Sequence, residues 1–318
     1  MYNLDVKDRK ILYELDKDAR QPCSKIGKKV RLSSEVVNYR IKRLEEENII
    51  TQYQVIVNLS KLNILQFKVC LSFQHLSSEK LEEIIKKLKQ KKEVKWIVSC
   101  NGNWDLLISL ETESIENIDL LKNWILTLFS DYINKKAISI LVEASTFNRN
   151  YLLEDTLESE RIIMKKDKVI ELDELDIKII KELSVNARKS IVDIAIFLKV
   201  SERVVNYRLN QLIKHKVLLG FKVAINYKKL GIKFYKTFIY LDDPDEIKVK
   251  QLIKFFERHK NIIHHVKVLG NWDLEPEFEV SSEEEFNIIL NKIKDDFSDI
   301  IKNIETITIS KEHKFVYF

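Results

Sequence analysis

The sequence predicts an α+β fold made of two copies of one unit, in which a three-helix domain precedes a domain with the element order βαββαβ. Three observations predict it: an internal repeat with one fixed offset, a helical period of apolar residues at the start of each copy, and alternating strand-like segments in the remainder. The 318 residues are 45% hydrophobic, which is enough apolar material for several cores.

The repeat has an offset of 168 residues. Leu-Asp-x-x-Asp at 4–8 recurs at 172–176, Val-Val-Asn-Tyr-Arg at 36–40 recurs at 204–208, and Gly-Asn-Trp-Asp at 102–105 recurs at 270–273. A constant register of this length indicates duplication of a complete two-domain unit. The predicted domains are 1–58, 59–147, 172–226 and 227–318, with a linker at 148–171.

The first domain of each copy has a helix-turn-helix pattern. In copy 1, Ile11 and Leu15 mark the first helix, Ser33 is a good N-cap for the third, and Val37 with Leu44 lies on its apolar stripe. The alternating segment 51–57 predicts a strand pair or wing, so the domain is expected to be a winged helix-turn-helix.

The end of the third helix differs between the copies. Asn48 tolerates the left-handed conformation that such caps require, whereas copy 2 has Lys216 there. We therefore expect copy 2 to be capped differently or to fray.

The second domain of each copy has the order of a ferredoxin-like split unit. Strand-like alternation occurs at 67–73, 94–98, 106–110 and 137–142, and helical spacing occurs at 81–88 and 115–129. Copy 2 repeats the order. Pro276 falls in a predicted strand and cannot donate a ladder hydrogen bond, so a bulge or broken pairing is expected there.

Composition excludes several classes of protein. The closest two of the five glycines in the sequence are Gly220 and Gly231. Because a Walker loop and a dinucleotide fingerprint both need glycines much closer together than these, both motifs are ruled out. Three cysteines without a Cys-x-x-Cys pair indicate neither a disulfide framework nor a zinc ribbon. Without a long apolar run or a signal peptide, we expect a cytoplasmic protein with no membrane partner, no cofactor and no metal.

The chain resembles the Lrp/AsnC (feast/famine) transcription regulators in a tandem duplicated form, over nearly its whole length. The resemblance rests on Leu-Asp-x-x-Asp, an arginine before the second helix, Ser-x-x-x-Val-x-x-Arg on the third helix, and Gly-x-x-Asp in the hairpin, all present twice and in order. Two departures are visible. The family's usual glycine after the third helix is Asn48 or Lys216, and its usual threonine before the motif valine is Val36 or Val204.

This resemblance implies a sequence-specific regulator that binds double-stranded DNA. It also implies regulatory domains that pair sheet to sheet, within the chain or in a homodimer, and a small-molecule effector such as an amino acid. The basal transcription machinery is a further expected partner.

The DNA-contacting candidates lie on the third helix of each copy, because the second helix of the motif enters the major groove. They are Ser34, Glu35, Asn38, Tyr39, Arg40, Lys42 and Arg43 in copy 1, and Glu202, Arg203, Asn206, Tyr207, Arg208 and Asn210 in copy 2. Asparagine suits adenine and Arg203 suits guanine, whereas Arg40, Lys42 and Arg43 are expected near phosphates.

A plainer interpretation of the same helix stays open. Asn38 and Arg40 can be solvated residues, or Arg40 can form a local salt bridge to Glu14 or Glu45, and Tyr39 can pack against the first helix. Charge placement favours DNA modestly: residues 1–58 hold 12 Lys and Arg against 9 Asp and Glu, and residues 172–226 hold 10 against 6, while the whole chain is only +5.

The effector candidates surround the two Gly-x-x-Asp hairpins: Ser99, Asn101, Gly102, Asn103, Asp105, Gly270, Asn271 and Asp273. Copy 1 is the preferred sensor because Ser99 and Asn101 add hydrogen-bonding groups. The alternative is that these are ordinary hairpin turns, in which Trp104 and Trp272 act as core or interface anchors.

Two other functions are compatible with the same sequence. Siroheme decarboxylases resemble the same two-domain fold, and such an enzyme would need protonating side chains, for which His259, His264 and His265 are the candidates. Copy 1 has no matching histidine and no catalytic site is evident. A chromatin-coating protein of the same fold would differ only in sequence specificity.

Overall fold

The computed structural model describes residues 2–153, 161–242 and 245–316. Copy 1 contains α1 (Val6–Lys17), α2 (Cys23–Val30), α3 (Ser34–Glu46), β1 (Ile50–Val57), β2 (Leu65–Phe73), α4 (Ser78–Gln90), β3 (Val94–Gly102), β4 (Leu106–Thr112), α5 (Ile115–Leu128) and β5 (Ile133–Phe147). The predicted linker contains a 3-10 turn at Asn150–Leu152 and β6 (Arg161–Lys165). Copy 2 contains α6 (Glu174–Val185), α7 (Ile191–Leu198), α8 (Glu202–Lys214), β7 (Leu218–Ile225), β8 (Lys233–Leu241), α9 (Glu246–Arg258), β9 (Ile262–Gly270), β10 (Leu274–Val280), α10 (Glu283–Asp296) and β11 (Ile301–Phe315).

Helices α3 and α8 begin and end with the same capping interactions. The Ser33 hydroxyl accepts a hydrogen bond from the backbone N–H of Val36, and the Ser201 hydroxyl accepts one from Val204. Asn48 and Lys216 both adopt positive φ, at 51° and 55°. The expectation of a different cap in copy 2 was therefore wrong. The backbone N–H of buried Val217 reaches Leu212 O at 2.9 Å, and this bond closes the same turn in spite of the lysine.

The two helix-turn-helix domains form one body rather than two. Strand β1 of copy 1 pairs antiparallel with β7 of copy 2, with Val55 opposite Phe221. The strand of each domain therefore pairs with the strand of the other domain. A single apolar cluster then runs through both domains, from Leu4 to Ile225.

A reciprocal pair of arginines links these two domains. The Arg20 guanidinium donates to the Lys189 carbonyl at 3.0 Å, and the equivalent Arg188 donates to the Gln21 carbonyl at 3.2 Å. Arg20 also lies over the ring of Phe221 and Arg188 over that of Tyr53, at 5.5 and 5.3 Å. The arginine that precedes the second helix therefore fixes the two domains around a pseudo-two-fold axis.

The two ferredoxin-like domains pair within the chain. Each forms a four-stranded sheet, β5-β2-β4-β3 in copy 1 and β11-β8-β10-β9 in copy 2. The long strand β5 pairs with β9, and β11 pairs with β3, so the two sheets close into one eight-stranded ring. Closure covers the edges that a lone sheet would expose.

An apolar cluster fills part of the space between the two sheets. Trp104 and Trp272 are buried there with ring centroids 6.0 Å apart. Near Pro276 the pairing of β10 with β8 skips from Leu274 to Glu277, which is the broken ladder that the proline predicts. Each sheet also packs its outer face on two helices, forming a separate core.

The hairpin glycines lie where one copy touches the other. A Cβ on Gly102 would stand 2.6 Å from the carbonyl oxygen of Thr306, and one on Gly270 would stand 2.6 Å from that of Ile138. Gly102 also has φ of +127°, a region that other residues rarely adopt. The glycine of each Gly-x-x-Asp motif is therefore required by the pairing of the two copies.

Gly102→Ala is expected to lower the free energy of unfolding by about 1–3 kcal/mol, because backbone strain and a backbone clash both result. Urea unfolding measures it. Gly220→Ala is the matched control, since there the nearest atom is the flexible Ile162 side-chain end. Equal unfolding midpoints for the two variants would contradict this account of the hairpin.

Candidate nucleic-acid interface

Helices α3 and α8 present most of the predicted DNA-contacting residues to solvent. The exposed ones are Glu35, Asn38, Tyr39 and Lys42 on α3, and Glu202, Arg203, Asn206, Tyr207 and Asn210 on α8. Ser34, Arg40, Arg43 and Arg208 are partly buried. Each helix therefore offers a polar and aromatic face opposite its buried stripe.

Both recognition helices carry a highly exposed tyrosine at the same position. Tyr39 is 66% exposed and Tyr207 is 61% exposed, so neither packs against the first helix of its domain. A large exposed aromatic at the same place in both copies is a surface available for contact with a partner.

The arginines of these helices have partners within the protein. Arg40 bonds to Asp5 at 2.7 Å and to Asp8 at 2.8 Å, and Arg43 bonds to Asp8 at 2.6 Å. In copy 2, Arg208 reaches Asp173 at 2.8 Å. The salt bridges predicted as alternatives, to Glu14 or Glu45, are not the ones formed, because Glu14 binds Lys29 and Glu45 accepts from Tyr53.

These ion pairs explain the aspartates of the Leu-Asp-x-x-Asp motif. Burial would raise the pKa of Asp5, but the hydrogen bond from Arg40 brings the pKa below its usual value. Asp5 also accepts from the N–H of Asp8 and so caps α1. The motif therefore joins the first helix to the third.

Helix α2 carries a basic surface that was not among the DNA-contacting residues predicted from the sequence. Lys25, Lys28 and Arg31 are exposed along α2 and at its end. In helix-turn-helix proteins bound to DNA, the helix before the recognition helix crosses the DNA backbone. Their spacing of three residues was the signal that could have found them, because side chains three apart lie on one face of a helix. The offset of 168 places Asp193, Ile196 and Lys199 at the same positions in copy 2.

The matching surface in copy 2 is not basic, because it carries exposed apolar side chains and one carboxylate. Ile196 is 71% exposed and Phe197 is 63% exposed, with the Lys189 ammonium 4.8 Å from the Phe197 ring. The carboxylate of Asp193 lies in the first turn of α7, where a phosphate would otherwise be attracted. The two helix-turn-helix domains are therefore electrostatically unequal.

The two hairpin aspartates have structural partners. Asp105 accepts a hydrogen bond from the N–H of Phe73 at 2.7 Å, and Asp273 accepts one from Leu241 at 2.8 Å. Each carboxylate thus holds the end of the neighbouring strand. Trp104 and Trp272 are the interface anchors described above.

The remaining effector candidates form a more open surface. Asn101, Gly102 and Asn103 are exposed, as are Gly270 and Asn271. The Ser99 hydroxyl lies 2.8 Å from Nε2 of His313 on β11, so copy 1 brings a histidine of the other copy to its hairpin.

The histidines of the enzyme alternative do not form one group. His259 caps α9, and its Nδ1 accepts from the N–H of Asn261 at 3.3 Å. Burial lowers the pKa of His264 to about 4 and that of His265 to about 3, so both are neutral near pH 7. Nδ1 of His264 lies 3.0 Å from the Thr146 hydroxyl.

Within the described parts of the chain, no three His, Cys, Asp or Glu side chains come together as a metal site would require. None of the helices in the described residues is long and apolar enough to cross a bilayer.

The helix-turn-helix domains match a family model. The model is described as winged helix-turn-helix DNA-binding, and it matches residues 4–51 and 172–217. The chain is 31% identical over 141 residues to the HTH-type transcriptional regulator LrpA of Pyrococcus horikoshii, covering 44% of this chain and 97% of that regulator. It is 30% identical to the regulatory protein AsnC of Haemophilus influenzae, covering 37% of this chain and 78% of that one.

A solved structure resembles nearly the whole chain. The siroheme decarboxylase NirDL, in complex with an iron-uroporphyrin III analogue, aligns with a TM-score of 0.63 over 98% of this chain and 93% of its own, at 14% identity. At this identity the similarity shows a shared fold.

Proposed function

The chain belongs to the Lrp/AsnC family of helix-turn-helix transcriptional regulators, and on this premise we propose that it binds double-stranded DNA as one chain carrying two recognition helices. The observation that carries the proposal is the pair of exposed faces on α3 and α8, related by the pseudo-two-fold axis of the β1–β7 ribbon. A family dimer brings two such helices together from two chains, whereas here one chain supplies both. The same proposal places the protein in the cytoplasm with its DNA.

The roles of the helix residues follow from their exposure. Asn38 and Asn206 contact adenines at equivalent places in two half-sites, and Arg203 contacts a guanine in one of them only. Lys42, Lys25, Lys28 and Arg31 contact phosphates on the copy 1 side. Arg40 and Arg208 mainly position the helices through their aspartates, and any phosphate contact competes with those ion pairs.

The experiment is fluorescence anisotropy with a labelled duplex of random sequence. Wild type is expected to bind with a Kd of about 1–100 μM at physiological salt. Tyr39→Glu combined with Tyr207→Glu puts a negative charge on each proposed DNA face, and about tenfold weaker binding is expected. Leu120→Glu is the control, because Leu120 is also 66% exposed but lies on α5, away from the winged helices. Equal losses for both variants would overturn the assignment.

An amino-acid effector at the copy 1 hairpin is a second part of the proposal. Ser99, Asn101 and Asn103 supply hydrogen-bonding groups beside His313 there. Asp105 is a poor test residue because it holds strand β2. Calorimetry with the twenty amino acids, on wild type and on Asn101→Ala, tests the site. An affinity unchanged by the substitution would remove it. Contact with the basal transcription machinery stays a prediction from the family.

We propose no catalytic role for His264 and His265. A general acid near neutral pH needs a pKa close to 7, and the burial of His264 and His265 works against this. Incubation with siroheme, followed by mass analysis of the tetrapyrrole, tests the assignment. Decarboxylated product would contradict it.

A further inference from the structure

A cavity of about 330 Å³ lies between the eight-stranded ring and the two joined winged helix-turn-helix domains, which together form the winged-helix layer. Its roof is the β1–β7 ribbon, through Gln54 and Lys222, and its walls are the inner faces of both sheets, through Ser109 and Glu277. Gln54 and Lys222 are equivalent at the offset of 168, as are Ser109 and Glu277. The cavity therefore lies on the pseudo-two-fold axis and has two comparable halves. Its volume is within the range of small-molecule sites.

The copy 2 half of this cavity is neutralised by the protein itself. Glu279 accepts from Nε of Arg149 at 2.9 Å, Arg149 bonds to Asp16 at 2.6 Å, and Lys222 bonds to Asp16 at 3.1 Å. Two buried carboxylates thus meet two cations. This network also ties α1, in the winged-helix layer, to β10 of the ring.

The copy 1 half keeps only one of these four charges. The residues equivalent to Asp16 and Lys222 are Ser184 and Gln54, and the residue equivalent to Arg149 is a tyrosine at 317, outside the described residues. Glu111, which is equivalent to Glu279, is retained. Copy 1 therefore has the carboxylate of Glu111 at a place where neutral residues stand instead of the two cations of copy 2.

Glu111 is poorly paired for a buried carboxylate. It is 7% exposed, and among the described residues its one ion-pair partner is Lys95, at 3.6 Å. A charge-assisted hydrogen bond is normally 2.7–2.9 Å long, so this contact is loose. Burial outweighs Lys95 and raises the pKa of Glu111 to about 7. A closer cation would relieve the cost of this buried charge.

The rest of the cavity suits an apolar or aromatic body. Trp96, Tyr227, Phe234 and Phe315 line it, and the Trp96 indole donates to Glu312 at 3.0 Å. Aromatic faces attract organic cations. We propose that this cavity binds a small organic cation, with an ammonium or guanidinium head on Glu111 and an apolar or aromatic body against these rings.

The bound cation would complete on the copy 1 side the link that Arg149 makes on the copy 2 side. It would join β4 of the ring, through Glu111, to the ribbon, through Gln54, and the ribbon joins α3 to α8. DNA binding would then respond to the ligand, and this regulatory step rests on the proposed function. Couplings of this kind are typically about 5- to 150-fold in affinity.

The test is calorimetry at pH 7.5 with phenethylamine and butylguanidine as probes, and 2-phenylethanol as the neutral analogue. At least one cation is expected to bind wild type with a Kd below about 1 mM. Glu111→Gln should weaken that binding about tenfold or more, because it removes a charged acceptor. 2-Phenylethanol should bind at least tenfold more weakly.

Two further variants test whether the probes bind beside Glu111. Gln54→Lys gives the copy 1 half the cation that Lys222 supplies in copy 2, and it is expected to abolish binding of the probes. Glu113→Gln removes an exposed carboxylate two residues away and should leave binding unchanged. Unfolding of each variant by urea confirms that it is folded.

The outcomes separate the site from the proposed function. Failure of both cations to bind at about 10 mM, or equal binding to Glu111→Gln, overturns the site. Anisotropy with the random duplex is then run with and without the bound probe. Binding of the probe without any DNA binding would retain the site and remove the proposed function, whereas DNA binding that ignores the bound probe would overturn the regulatory step.

Discussion

Glu275→Leu is expected to lower the free energy of unfolding by about 3–5 kcal/mol, because it breaks a buried cluster of ion pairs. Glu275 is fully buried between the two sheets. It forms an ion pair with Lys68 and another with Lys236, the latter at 2.8 Å, and it accepts from the Trp272 indole at 2.9 Å. Removing the carboxylate leaves two buried ammonium groups that Glu277 balances in part.

This buried cluster is also what makes the two copies chemically different at their interface. Lys68 and Lys236 are equivalent, but Leu107 and Ser109 stand in copy 1 where copy 2 has Glu275 and Glu277. Copy 2 therefore supplies both counter-charges. Two copy 1 sheets facing each other would bury two lysines without them, so the cluster favours pairing of unlike copies within one chain.

Urea unfolding monitored by circular dichroism measures the effect. Glu284→Leu, at an exposed position on α10, is the control and is expected to change the free energy by less than about 0.5 kcal/mol. Burial would raise the pKa of Glu275, but Lys236 and Lys68 bring it well below its usual 4.5. The stabilising contribution of the Glu275 carboxylate is therefore fully present above about pH 4.5. It is lost as the pH falls below that value, through the lowered pKa. A similar midpoint for both variants would contradict the cluster's role.

The second large effect is expected on DNA affinity. Lys25→Ala, Lys28→Ala and Arg31→Ala combined should weaken binding about 10²- to 10³-fold at 0.1 M salt, and should reduce the magnitude of the salt slope by about 2.7. Each lost phosphate contact removes about 0.9 from that slope, and at 0.1 M this equals about 0.9 logarithmic units of affinity.

Anisotropy titrations from 0.05 to about 0.3 M salt give both quantities. The matched control replaces three exposed lysines on or beside α4 with alanine, Lys86, Lys89 and Lys92, which removes the same net charge far from α2. Lys199→Ala probes the copy 2 surface and should reduce the slope by at most about 0.9. Equal slopes for the two triple variants would show that net charge, and not the α2 surface, governs binding.

The sequence predicted the units well because their signals are local. Ser33 and Ser201 cap their helices through bonds three residues away, and the alternation in 67–73 depends only on which side of a strand is buried. The order βαββαβ was therefore confirmed in both copies, and so was the break beside Pro276.

The assembly of the units could not be predicted in the same way. Alternation in 51–57 indicates a strand but not its partner, and β1 pairs with β7, 168 residues away in the repeat. The sequence left pairing within the chain and a homodimer equally open, because both use the same sheet edges. Arg40 likewise finds Asp5 and Asp8 more than 30 positions away, beyond the reach of helical spacing. Contacts of this kind depend on the packed helices and not on local pattern.

Selection of bound duplexes from random DNA at physiological salt tests the central claim most directly, namely that one chain reads DNA with two related but unequal helices. We expect enrichment of an imperfect inverted repeat with half-site centres about one helical turn, roughly 34–36 Å, or a multiple of it apart. Adenine is expected at equivalent positions facing Asn38 and Asn206, and guanine in one half-site only, facing Arg203. No enriched motif, or a single unpaired half-site, would contradict the claim.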